Sequence, residues 1–165
     1  MEPNVDPLKS DPETLMAEIP AYARLALGSE RLVIFLTSTR MIVASIGKRG
    51  AGALATTSFF GGLSGAFEDI FKVGRESAVR RRLETLNPEK ILASDKDNFA
   101  ISLLEIVKVD VEETVGPVRI TILTGSEKIQ LSTRLGFEHV AGLFRNVLGS
   151  KVVTRRPVYG GGHAP

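Results

Sequence analysis

Two apolar runs separated by a short polar turn constrain the fold of this chain most strongly. Leu32 to Leu36 is an unbroken run of apolar residues, Ser38-Thr39 provides the polar break, and Met41 to Ala44 is apolar again. A strand that is apolar at every position fills both faces of a sheet, whereas a half-exposed strand alternates. The pattern therefore predicts a β-hairpin over residues 32–46 at the centre of a sheet.

Composition indicates one domain with attached segments. The chain has 165 residues and no cysteine, so it can build a core without disulfides. Its first residues lack the basic start and apolar core of a signal peptide, and we expect a cytoplasmic protein. The formal charge of +2 is too small to indicate nucleic acid, so no nucleic-acid partner is expected. Positive charge collects in residues 48–90 and after residue 150.

The residues before the hairpin suggest helix. Asp11-Pro12 has the pattern of an N-cap followed by proline at the first helical position, and this helix should end before Pro20. Pro20 to Leu27 fits either a second short helix or an edge strand. Residues 1–10 are expected to be flexible.

Residues 47–97 form a distinct segment between two β blocks. Gly50 to Phe67 contains no charged residue and is rich in glycine, but it is too short and interrupted for a transmembrane helix. A helical pattern with several arginines runs from Ser64 to Leu86. Asn87-Pro88 repeats the cap-then-proline signal and predicts a short helix to Ala93, followed by a turn at residues 95–98.

The second β block ends in a helix. Asn98 to Ser102 predicts a short strand, and Val107 to Glu112 alternates with its valines inward, opening a meander of three antiparallel strands. Gly125-Ser126 is the hairpin signal within that meander. Apolar residues at helical spacing predict a closing helix over residues 137–148, capped by Gly149 and followed by a flexible basic tail over residues 150–165.

Three stretches resemble the pleckstrin-homology-like (PH-like) domains of bacteria and archaea. Gly28-Ser29-Glu30 corresponds to that family's Gly-Glu pair, and Leu36-Thr37-Ser38-Thr39-Arg40 to its Leu-Thr-x-x-Arg turn. Asn98 to Ile106 resembles the family's later strand and turn, with Ser102-Leu103-Leu104 in place of the usual Pro-Tyr-Ser. The resemblance covers residues 28–46 and 98–148 and leaves residues 47–97 as an insertion.

The resemblance implies a mainly β (α+β) fold: a strongly bent antiparallel sheet, or partly open barrel, capped by a C-terminal helix. The domain would span residues 11–149, with a helical, glycine-rich insertion after the first hairpin. Its relatives are mostly binding modules for lipid headgroups or proteins, and bacterial members tend to self-associate. We therefore expect a non-catalytic adaptor without cofactors, binding membrane lipid headgroups or a protein partner.

The insertion suggests a peripheral contact with an anionic membrane. Phenylalanines can enter the bilayer interface while nearby arginines are attracted to anionic headgroups. The expected membrane or partner contacts are Phe59, Phe60, Leu63, Phe67, Phe71, Arg75, Arg80, Arg81 and Arg82. Expected headgroup contacts are Arg40, Lys48 and Arg49. The arginine run also fits an ordinary solvated helix face. Alternatively, the insertion is buried between subunits of a homo-oligomer.

Other motifs give weaker indications. Gly50-Ala51-Gly52-Ala53-Leu54-Ala55 fits a relaxed dinucleotide fingerprint, which makes a nucleotide site a minor alternative. However, Gly47-Lys48-Arg49 separate it from the strand, and the acid that should follow, Asp69, falls in a predicted helix. Asp95 and Asp97 lack the glycine and glutamate of a calcium loop. His139 and His163 stand far apart without cysteine. No catalytic or metal-binding residue is predicted.

Overall fold

The computed structural model describes residues 12–25, 28–48 and 86–157. Expectations for residues 1–11, 26–27 and 158–165, and for residues 49–85 of the insertion predicted over 47–97, concern positions outside these ranges. The strands are β1 (Leu15–Leu25), β2 (Gly28–Thr37), β3 (Arg40–Lys48), β4 (Phe99–Ser102), β5 (Ile106–Glu112), β6 (Val118–Thr124), β7 (Lys128–Thr133) and β8 (Val152–Arg155). The helices are α1 (Pro88–Ala93), α2 (Phe137–Leu148) and a 3₁₀ turn (Gly149–Lys151).

All eight strands belong to one mixed sheet in the order β4-β3-β2-β1-β7-β6-β5-β8. Neighbouring strands are antiparallel except β5 and β8, which are parallel. The order does not return to its start, so among the described strands β4 and β8 are the two edges of an open sheet. The mainly β, α+β class expected from the sequence is confirmed.

The central hairpin has the predicted position. β2 lies between β3 and β1, and β3 lies between β2 and β4, so both strands are interior. Leu32, Ile34 and Leu36 enter one buried cluster, whereas Val33 and Phe35 enter another on the opposite face. This two-sided burial is the reason that the strand needs an uninterrupted apolar run.

The larger cluster lies between the sheet and α2. Phe137, Val140, Ala141, Phe144 and Leu148 recur at helical spacing and are buried with apolar residues from β1 to β7. Gly149 ends the helix with a φ of +56°, a conformation that favours glycine. The predicted closing helix and its cap are therefore confirmed.

The smaller cluster is covered by α1, which forms over the predicted residues. The side chain of Asn87 accepts hydrogen bonds from the backbone N–H groups of Glu89 and Lys90, at 2.9 and 3.2 Å. Ile91 is fully buried against the β2–β3 face. Asn98 connects this helix to the sheet, because its amide donates to the carbonyl of Ile91 and accepts from the backbone N–H of Ser45.

The helix predicted from Pro12 to Pro20 is wrong, because Leu15–Leu25 is strand β1. Alternate residues Ala17, Ile19 and Ala21 are buried in the larger cluster, which is the two-residue period of a strand. For Pro20–Leu27 the strand alternative is right as far as Leu25, and residues 26–27 lie outside the described ranges. β1 lies between β2 and β7, so it is not the expected edge strand. β1 pairs with β7 only at Tyr22 and Ser132. Along most of its β7 side, β1 therefore has no row of backbone hydrogen bonds that Pro20 could interrupt.

Two details of β5 and β8 also differ from expectation. Val107 is exposed instead of inward, because a bulge between Ile106 and Lys108 shifts the alternation of β5. The tail expected after Gly149 begins with ordered structure: Val152–Arg155 forms β8, paired in parallel with Val109–Glu112.

Candidate functional site

Among the expected contacts, Arg40 lies at the tip of the β2–β3 hairpin, at the first residue of β3. Its Nε donates to Oε1 of Glu13 at 2.9 Å, and its Nη2 donates to Oε2 at 2.8 Å. Nη2 also pairs with Glu89 at the start of α1. We call Glu13, Thr37, Thr39, Arg40 and Glu89 the hairpin-tip cluster.

Two threonines complete the binding of Glu13. The hydroxyls of Thr37 and Thr39 donate to Glu13 Oε1, at 2.6 and 3.0 Å. Thr37 is fully buried, and its hydroxyl oxygen accepts the backbone N–H of Arg40 at 2.9 Å, which closes the turn. The Leu-Thr-x-x-Arg pattern thus has a local structural explanation: its threonine shapes the turn, and its arginine holds a carboxylate from the preceding segment.

Electrostatics within the hairpin-tip cluster favour the charged forms. Burial acts to raise the pKa of Glu13, but hydrogen bonds from Arg40, Thr37 and Thr39, together with the charge of Arg40, outweigh it and hold this pKa below the ordinary value of 4.5. Hydrogen bonds to Glu13 and Glu89 raise the pKa of Arg40 above its ordinary value. The side chains of Glu13 and Arg40 are each 21% exposed, whereas that of Glu89 is 72% exposed.

This geometry limits what the hairpin-tip cluster can bind. Two carboxylates surround one guanidinium, so an anionic headgroup approaching Arg40 would compete with charges already in place. What the hairpin-tip cluster does in the structure is join three segments: the residues before β1, the hairpin turn and α1. A headgroup contact at Arg40 remains a prediction.

The other expected contacts are not brought together by the described structure. Lys48 ends β3, where its backbone lies opposite Glu30. Arg49 and the expected membrane contacts all lie outside the described residues, in 49–85. These are Phe59, Phe60, Leu63, Phe67, Phe71, Arg75, Arg80, Arg81 and Arg82. Gly50 and Gly52 lie outside them too, and β3, which precedes them, has antiparallel neighbours on both sides. A dinucleotide site requires a parallel strand there.

A second charged group, which the sequence analysis missed, lies where β8 meets β5. Oδ2 of Asp110 is 2.6 Å from Nη2 of Arg155 and 3.3 Å from Nζ of Lys108. Arg156 pairs with Glu113 and Glu138, and its guanidinium lies 5.0 Å from the centre of the Phe137 ring. The arginines expected in a free tail are therefore engaged in attaching β8. The alternation in Val152–Arg155 could have indicated this strand.

The remaining candidates have ordinary surroundings. His139 is exposed on α2, and the backbone N–H of Asp97 donates to Asp95 within the predicted turn. Among residues 12–25, 28–48 and 86–157, no group of three or more His, Cys, Asp or Glu side chains could hold a metal ion. No helix in these ranges is long and apolar enough to cross a bilayer.

Comparisons with known proteins identify no family for this chain. No protein-family model matches it, and no curated protein matches it. Among solved structures, one similar chain is "The hSac2 domain from human phosphoinositide phosphatase Sac2". It is 8% identical with a TM-score of 0.48, over 90% of this chain and 80% of that chain. At these values the likeness indicates neither an activity nor a ligand for the present chain.

Proposed function

We propose that this chain is a non-catalytic PH-like binding module that acts as an adaptor at an anionic membrane surface. The observation that carries the proposal is the order of its elements. β1 to β4 form one antiparallel meander, β5 to β7 form a second, and α2 follows directly. The resemblance to PH-like domains, which covers residues 28–46 and 98–148, implies the β2–β3 hairpin, the short strand β4, the meander β5–β7 and the closing helix. Strand β1 lies outside the range of that resemblance.

The position of α2 supports a strongly bent sheet. The helix contacts β1 and β2 of the first meander as well as β5 and β8. From β2 to β8 there are five strand spacings in the sheet order, or about 24 Å in a flat sheet. A helix of 12 residues is only about 18 Å long. Curling of the sheet around α2 accounts for contacts at both ends of this span.

The membrane role is tested by sedimentation with vesicles. Purified full-length protein should sediment at low salt with vesicles that contain phosphatidylserine and remain in solution with pure phosphatidylcholine, since attraction to anionic headgroups is electrostatic. Deletion of residues 50–71 should weaken sedimentation if the phenylalanines of the insertion enter the interface. Equal recovery with both kinds of vesicle, or none with either, would rule out this role.

The open sheet favours one alternative, a self-assembling protein-interaction module. β4 and β8 are edge strands of four residues each, and an edge strand can pair with another chain. The insertion would then be buried between subunits. Light scattering gives the oligomeric state of the full-length protein and of the deletion variant lacking residues 50–71. A monomer in both cases excludes assembly, whereas an oligomer that the deletion dissociates supports it.

A further inference from the structure

The outward surface of the sheet around β1, β7 and β6 is rich in positive charge. Tyr22 lies opposite Ser132 of β7, and Ser132 lies opposite Arg119 of β6, so these three side chains share one face. Residues alternate along a strand, which places the neighbouring even-numbered positions of β1 and β7 on the same face. We call this surface the basic face. Its members around β1, β7 and β6 are Tyr22, Arg24, Arg119, Lys128, Gln130, Ser132 and Arg134. The buried Glu18 of β1 and the exposed Arg31 of β2, opposite Tyr22, lie on the same face of the sheet.

The basic face points away from α2. Ile120, Ile122 and Leu131, which alternate with its residues, are buried in the cluster that contains α2. Arg134 directly follows β7 between the buried residues Thr133 and Leu135, so the alternation continues through it. The side chains of the basic face are therefore not packed in the buried cluster under α2.

Three of its cations are exposed and unpaired within the part of the chain that the structure describes. Arg24, Lys128 and Arg134 are exposed, and none of them forms an ion pair with a described residue. Arg119 differs, because its Nη1 lies 2.7 Å from Oε2 of Glu112. From Lys128 to Arg134 the cations extend about 20 Å along β7 and its continuation. The positive charge is thus spread over a surface instead of being concentrated in a pocket.

The chemistry of the basic face fits a lipid surface better than a single-stranded nucleic acid. Proteins that bind single strands stack successive bases on several aromatic side chains. The basic face has one aromatic residue, Tyr22, and it is half-buried. An anionic bilayer requires only exposed cations on an accessible face, and each cation near the surface strengthens binding about fivefold.

We propose that the basic face is the surface by which the domain lies against an anionic bilayer, through Arg24, Lys128 and Arg134. This inference rests on the proposed membrane function and assigns it to the sheet, in addition to the insertion. It also predicts an orientation: α2 and the larger cluster lie on the side of the sheet away from the lipid.

The test is vesicle sedimentation of a full-length variant that carries Arg24→Gln, Lys128→Gln and Arg134→Gln. Loss of three cations should weaken binding to phosphatidylserine vesicles about 100-fold at low salt. Circular dichroism should show unchanged unfolding, because all three side chains are exposed.

A matched pair of single variants carries Arg134→Gln or Arg145→Gln. Both residues are exposed, Arg134 directly after β7 and Arg145 on α2 at the other side of the sheet, and each substitution changes the net charge by the same amount. Arg134→Gln should weaken binding about fivefold, whereas Arg145→Gln should leave it unchanged. Only a position-specific contact predicts a difference between two variants of equal charge.

The outcomes separate the inference from the proposed function. Equal sedimentation of the wild type, the triple variant and the two single variants would overturn the basic face as the contact while leaving the membrane function in place. If the wild type does not bind vesicles at all, the function and the inference both fail. If the wild type instead binds a single-stranded oligothymidylate of about 20 nucleotides and loses it in the triple variant, the basic face serves nucleic acid and the inference is wrong.

Discussion

Replacing Glu13 by glutamine tests whether the hairpin-tip cluster stabilises the fold. The substitution keeps the size of the side chain and an oxygen that can accept from Thr37, but it removes the negative charge that Arg40 binds through two nitrogens. Glu89→Gln is the matched control, because it removes the second carboxylate on the same guanidinium.

The expected magnitude follows from burial. A hydrogen bond to a charged group contributes about 1.5–3 kcal/mol when shielded from water, and the Glu13–Arg40 pair is 21% exposed on both sides. We expect Glu13→Gln to lower the free energy of unfolding by about 2 kcal/mol, or roughly 30-fold in the folding equilibrium. Glu89 is 72% exposed, so Glu89→Gln should cost less than about 0.5 kcal/mol.

Urea unfolding followed by far-ultraviolet circular dichroism measures the loss of unfolding free energy in both variants. The dependence of this loss on pH provides a second test. The folded-state pKa of Glu13 lies below its ordinary value of 4.5, so its stabilisation is complete above that value. Stabilisation is lost as the pH falls through the lowered pKa, because protonation then breaks the pair. The difference between wild type and Glu13→Gln should therefore be constant near neutrality and shrink below about pH 4.

Two results would contradict this reasoning. Equal destabilisation by Glu13→Gln and Glu89→Gln would mean that burial does not decide the strength of the pair. A difference between wild type and Glu13→Gln that stays the same into acid would mean that the charge of Glu13 is not what stabilises the fold.

Three other substitutions test the elements around the sheet by the same unfolding assay. Asn87→Ala removes the cap of α1 and should cost about 1 kcal/mol, whereas an unchanged midpoint would show that tertiary contacts alone hold this helix. Phe144→Ala empties a fully buried position under α2 and should cost about 3–5 kcal/mol; a loss below about 1 kcal/mol would contradict the assigned core. Gly149→Ala forces a side chain into a positive φ and should cost about 1–2 kcal/mol, with Gly142→Ala, in the middle of α2, expected to be neutral or stabilising.

Where the local pattern and the tertiary environment agree, the sequence predicts the structure well. The run from Leu32 to Leu36 specifies a doubly buried strand, and Asn87-Pro88 specifies the start of α1. The later hairpin and α2 follow from alternation, Gly125-Ser126 and helical spacing. Each of these signals is completed within a dozen residues, so no distant partner is needed to interpret it.

The predictions from sequence are wrong where contacts with residues far away in the sequence determine the local structure. Asp11-Pro12 has the local chemistry of a helix start, but the chain from Leu15 onward pairs with β2, and its alternate residues reach the core. β8 depends on β5 and on ion pairs such as Arg155 with Asp110, which lie about 45 residues apart in sequence. Similarly, Arg40 has the appearance of a surface cation until Glu13 is placed beside it.

The hairpin-tip cluster changes how its short motif should be used in searching other sequences. Arg40 and Glu13 are 27 residues apart and become neighbours only through the pairing of β1 with β2. A query that requires both the Leu-Thr-x-x-Arg turn and an upstream acid would select chains that form the same contact at the hairpin tip, independently of their ligands. Such a query identifies an architecture, and the ligand of each chain it retrieves has to be sought on other surfaces.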